Sequence, residues 1–175
     1  MLSWLRTRQA GRQKAAEIYG AVVAQARHPA FFAGAGVPDT PEGRYELIVL
    51  HLFLVLERLR GAGDAAVEPS RLVIETFVTD MDDQMREMGV SDLAVPKKVK
   101  RAAALFYERS EAYRAALAEG TSDALVVALH LAFPTTGERA TGLAVYVRTV
   151  AAALAGQDAD ALFAARVAFP EPRLD

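Results

Sequence analysis

The chain has 175 residues, no cysteine, 52% hydrophobic residues and a formal net charge of −2. That length gives room for one domain with a real core and an N-terminal arm, and the apolar content excludes a disordered chain. The slightly acidic balance argues against a dedicated DNA binder, and the lack of cysteine excludes disulfides and thiolate metal sites.

Residues 1–27 carry Leu2, Trp4 and Leu5, then Arg6, Arg8, Arg12 and Lys14, then Ala15, Ile18, Tyr19, Val22, Val23 and Ala26 at helical spacing. A first helix is predicted, ended by His28-Pro29, because the residue before a proline leaves the α region. Two readings fit the basic start. It is a solvated outer face, or it touches a membrane surface or a ribosome through Trp4, Arg6, Arg8, Arg12 and Lys14. No uninterrupted apolar segment follows, as a signal peptide requires. Residues 29–41, PAFFAGAGVPDTP, read as a connection, with Phe31 and Phe32 plugging the edge of the core.

Asp39 or Thr40 is placed to cap a helix from Pro41 to Arg60. Its stretch Leu47 to Leu56 is apolar nearly all round, which makes it a central, buried helix. That stretch is about half the ~20 residues a membrane span needs, and His51 interrupts it. His51 has no Glu-x-x-His neighbour, so it reads as a hydrogen-bonded core histidine rather than a metal ligand. Gly61 to Pro69 is a turn.

The stretch from Glu75 to Arg101, ETFVTDMDDQMREMGVSDLAVPKKVKR, is the organising feature. A helix over about Pro69 to Met88 places Ile74, Phe77, Val78, Met81, Met85 and Met88 on one face. Asp80, Asp83 and Glu87 fall on another, with Asp82 and Arg86 at its flank. Phe77, Met81 and Met85 are expected to be buried, and Asp80, Asp83 and Glu87 to face solvent. Gly89 stands at the helix C-cap, Ser91 or Asp92 starts the next segment, and Pro96 sits in the first turn of a helix to Glu119. The charges oppose local helix energetics. Asp82, Asp83 and Glu87 lie toward a helix end, whereas Lys97, Lys98, Lys100 and Arg101 crowd a helix start. Either the two clusters neutralise each other across the loop, or one is presented to a partner.

ETFVTDMDDQMREMGVSDLAVPKKVK closely resembles the core motif of the ubiquinol–cytochrome c chaperone family, over about Tyr45 to Ala116 and more weakly to the region of Leu162. The resemblance implies an all-helical protein without catalytic activity. It implies cytochrome b, or another assembly protein of the reductase, as the partner. Mitochondrial members of that family bind newly made cytochrome b near the ribosome, together with a small partner protein.

Beyond the motif, the helix from Pro96 to Glu119 has an apolar face of Val99, Ala102, Ala103, Phe106, Tyr113 and Leu117 and ends at Gly120. Ser122 to Phe133, Glu138 to Ala155 and Asp158 to Phe169 are predicted helices. Pro170 and Pro172 begin a tail that cannot stay helical.

Asp82-Asp83 has no second acidic cluster to share a divalent ion with, no glycine-rich loop has phosphate-binding context, and no nucleophile arrangement is recognisable. No catalytic residue, metal site or cofactor is therefore assigned. The expected protein is an all-α single-domain bundle of six or seven helices. Its parts are an N-terminal helix and connection over 1–40, a chaperone-family core over 41–169 and a tail over 170–175. The partner-binding candidates are Asp80, Asp82, Asp83, Arg86, Glu87, Asp92, Lys97, Lys98, Lys100 and Arg101. The expected location is the cytoplasm, with peripheral contact at the inner membrane left open. The alternatives are a small ligand-binding protein or enzyme with an interhelical pocket, and a peripheral membrane scaffold. The oligomeric state is not legible.

Overall fold

The computed structural model describes residues 2–174, with side chains from Arg6 onward. Among the described residues the regular structure is helical, as expected. The helices are α1 (Leu2–Ala26), α2 (Pro29–Ala33), α3 (Pro41–Arg60), α4 (Val67–Glu87), α5 (Val95–Glu119), α6 (Ser122–Ala132), α7 (Ala140–Ala155) and α8 (Ala159–Phe163). Six of them are long; α2 and α8 have five residues each.

α3 is the central helix. Thr40 caps it by accepting the Gly43 N–H at 3.1 Å, while Asp39 instead pairs with Arg44 at 2.6 Å. Every residue from Glu46 to Val55 is buried, His51 included. A Cβ on Gly43 would stand 2.1 Å from the Pro38 carbonyl oxygen, so glycine alone lets the preceding loop fold back onto α3. Around α3 pack α1, α4, α5 and α7, with α6 between α5 and α7.

α1 is not an arm. Ala15, Ile18, Tyr19, Val22 and Ala26 are buried against α3 and α4 and belong to the same core as α7. The connection over 29–41 contains the short α2, capped by His28, whose Nδ1 accepts the Ala30 N–H at 3.2 Å. α2 sets the fully buried Phe31 edge-on to His51 and Tyr146.

The last predicted helix is shorter than its alanine-rich sequence suggests. α8 ends at Phe163 and Ala165 takes a positive φ of 60°. The side chain of Gln157 then grips the backbone of Ala168 twice, accepting its N–H at 3.1 Å and donating to its carbonyl at 2.6 Å. This extended path delivers Phe169 to the His51 ring and buries Pro172 and Leu174. The tail is thus part of the core.

Two polar clusters lie inside the bundle. Gln25 donates to the Tyr146 hydroxyl at 2.9 Å, and Tyr146 is 2.8 Å from His51 Nε2. His51 Nδ1 lies 2.7 Å from the Leu47 carbonyl. That carbonyl only accepts, so Nδ1 carries the proton and Tyr146 donates to Nε2. His51 is a satisfied core histidine. In the second cluster, Arg109 of α5 forks onto Glu46 of α3 at 3.1 Å and donates to the Leu131 carbonyl at 2.8 Å.

Candidate functional site

The motif folds as the α4–α5 hairpin. Its turn has the hydrogen bonds of a Schellman cap: Gly89 N–H to the Arg86 carbonyl at 2.9 Å and Val90 N–H to the Met85 carbonyl at 3.0 Å. Gly89 takes φ 79°, which a side chain would strain. Pro96 sits in the first turn of α5, as expected.

The apolar face of α4 behaves as a graded stripe. Phe77 and Met81 are buried, Met85 is half-buried rather than buried, and Met88 is 61% exposed. Phe77 contacts the rings of Tyr19, Tyr45 and Phe106, which ties α4 to α1, α3 and α5. The stripe therefore runs out of the core at the hairpin tip, where Leu93 is 96% exposed.

The charged residues divide into three groups. Asp80, expected on the solvent face, is half-buried: it accepts from the Tyr19 hydroxyl at 2.7 Å and from Gln84 at 2.6 Å. It is a fastening between helices rather than an open contact point. Arg86 closes the tip by pairing with Asp82 at 2.6 Å and with Asp92 across the turn. The third group stays outward. Asp83, Glu87, Lys97, Lys98, Lys100 and Arg101 are exposed, and none makes an ion pair among the described residues, although Arg86 feels the charge of Asp83. The acidic and basic clusters do not neutralise each other across the loop; Arg86 does the bridging. No acid stands in the first turn of α5, so the lysines there oppose the helix dipole at about 0.3–1 kcal/mol each.

Arg6, Arg8, Arg12 and Lys14 are exposed on α1. The Trp4 side chain lies outside the described residues. Among the described residues no group of three or more His, Asp or Glu is placed to hold a metal ion, and no helix is long and apolar enough to cross a membrane.

One feature was not legible in the sequence. Between the first half of α4 and the second half of α5, over the C-terminal half of α3, lies an open groove of about 670 Å³. Most of its charged rim is internally committed: Glu57 receives Arg114 at 3.0 Å and Arg60, and Arg71 takes Glu68 at 2.6 Å and Glu75. Burial pushes the Glu57 carboxyl up, but the bonds from Arg60 and Arg114 outweigh it and hold the pKa below its ordinary value. Ser110 spends its hydroxyl on the Phe106 carbonyl at 2.8 Å. These groups do not converge on a vacant polar centre of the kind a small-molecule enzyme needs.

Residues 34–169 match the family model described as ubiquinol-cytochrome C chaperone. No curated protein matches the chain. The crystal structure of the Cbp3 homolog from Brucella abortus is similar over its whole length, with 34% identity, a TM-score of 0.87 and 100% of each chain covered.

Proposed function

Because this chain belongs to the ubiquinol–cytochrome c chaperone family, we propose that it holds a segment of cytochrome b, or another reductase assembly protein, at the α4–α5 hairpin. The family assigns the broader role of chaperone for the ubiquinol–cytochrome c reductase. The client and the surface are our reading, as is action by binding rather than by catalysis.

The observation that carries it is the hairpin tip. Exposed Met88 and Leu93 share the hairpin with Asp83, Glu87, Lys97, Lys98, Lys100 and Arg101, which make no ion pair among the described residues. Charges kept against the helix dipole and left unpaired cost stability without a structural return. A mixed-sign surface with an apolar centre suits orienting a partner until haem or further subunits arrive. The exposed bases on α1 support a second contact, at the inner face of the membrane or at a ribosome, for a protein working in the cytoplasm.

The test is to make Asp83→Asn and Lys97→Ala in cells and follow protein abundance, melting and reductase assembly. Folded, abundant variants with failed assembly support the binding surface. Loss of assembly only in proportion to lost protein overturns it. Sedimentation with anionic liposomes at low and high salt decides the membrane contact.

A further inference from the structure

The α3–α4–α5 groove is a second surface, at the other end of α4 from the hairpin tip. Arg71 and Glu87 are separated by roughly 25 Å along the helix at 1.5 Å per residue. We propose that this groove docks one amphipathic helix of a protein partner, independently of which client the tip holds.

The groove has the form of a missing helix. α4 and α5 meet where Phe77 contacts Phe106, then diverge over α3, leaving Leu56 and Ile74 half-covered between them. Val67 on the α4 lip is 66% exposed and Tyr107 on the α5 lip is 57% exposed. Large apolar side chains at both lips of an apolar trough are what a helix laid along it would cover, with anchors at i, i+3 or i+4, and i+7. A small polar ligand is disfavoured because Glu57, Arg71 and Ser110 are already bonded within the protein.

The rim specifies the charge of the occupant. On the α3–α5 side Arg60 and Arg114 share the one lining carboxylate, Glu57, with Glu111 reaching Arg114 only at 3.8 Å from outside the groove. On the α4 side the lining carboxylates are Glu75, paired with Arg71, and Asp64, which has no ion pair among the described residues, while Glu68 reaches Arg71 from outside the groove. One wall is relatively positive and the other negative. The matching helix has an apolar stripe flanked by an acidic edge and a basic edge, and docks in the direction that sets each edge against the opposite charge.

The probe is a labelled synthetic helix of about 16 residues with a leucine stripe, a glutamate edge and a lysine edge, measured by fluorescence anisotropy with the full chain. Controls carry the same residues without the stripe, or the stripe with two acidic or two basic edges. The mixed-edge helix is expected to bind about tenfold more tightly than any control. The double variant Val67→Ser with Tyr107→Ser, both exposed, is expected to lose that binding with melting unchanged, while Leu93→Ser at the tip leaves it intact. Equal binding of the stripe-free peptide overturns the proposal, as does full binding by the lip variant. A loss caused by Leu93→Ser alone would return the interaction to the tip. In cells, a photo-crosslinker at Val67 is expected to label protein residues at helical spacing; labelling of lipid alone overturns it. Reductase assembly in the lip variant separates the two surfaces, since the tip remains intact there.

Discussion

Tyr19 of α1 donates its hydroxyl to the Asp80 carboxylate of α4 at 2.7 Å, across 61 positions of sequence. Burial, then the hydrogen bond to Asp80 and the charge of that carboxylate, raise the pKa of the phenol and keep it a donor. Asp80 thus belongs to the α1–α4 contact although it stands in the middle of the charged motif. Its neighbour Asp83 makes no such bond among the described residues.

The first prediction separates those two aspartates. Tyr19→Phe and Asp80→Ala should each cost about 1–2 kcal/mol, and the double variant should show coupling of about 1 kcal/mol in urea unfolding. Asp80→Asn, which keeps an acceptor for Tyr19, should leave client association unchanged, whereas Asp83→Asn should weaken it. No coupling in the cycle would mean the bond contributes nothing.

The second concerns pH. Complete burial depresses the His51 pKa from 6.5 to about 4. Between those values the unfolded chain binds more protons than the folded one, so stability falls as pH drops from 6.5 toward 4. It is insensitive to this group above that window and below it. The full effect is about 3 kcal/mol. Melting curves across pH 4–7 should show the loss in the wild type and a flatter dependence in His51→Gln. An NMR signal of His51 that titrates near 6.5 would contradict the assignment.

The third addresses the buried ion pair. Glu46 and Arg109 side chains are 10% and 11% exposed. Burial raises the Glu46 pKa, and the guanidinium opposes that rise. Arg109→Met should destabilise by about 3–5 kcal/mol because it strands a buried carboxylate. Adding Glu46→Gln should restore part of the loss. A double variant no more stable than Arg109→Met would show that the loss lies in packing instead.

The fourth tests the basic cluster. Exposed charges are screened over about 8 Å at physiological ionic strength, so client association should slow as salt rises through that range. Replacing Lys97 and Lys98 with Gln should slow association and leave dissociation nearly unchanged. Association rates independent of salt would remove the electrostatic role.

Much of the bundle was legible because its signals are local. Thr40-Pro41 at the start of α3 and Gly89 after α4 carry their own backbone chemistry, and the stripes on α1, α4 and α5 repeat at helical spacing. α2 was missed because five residues show no periodicity and histidine is an unusual cap. α8 was overextended because alanines favour a helix, whereas Gln157 holds the chain extended from outside the segment. At the site, the motif marked Arg86 and the bases as candidates but left open whether the two clusters pair across the loop. The Tyr19–Asp80 bond and the groove were not legible, since both depend on where separate helices come together.

The closing of the core by residues 167–174 bears on the order of synthesis. Gln25 leaves the ribosome 145 residues ahead of Pro170, whose carbonyl it holds, and His51 is made 118 residues before the ring of Phe169 that packs on it. A nascent chain carrying α1 to α7 therefore has an open flank at Phe31 and Tyr146. Truncation before Phe169 is expected to leave that flank open and to lower the melting temperature of the rest of the bundle.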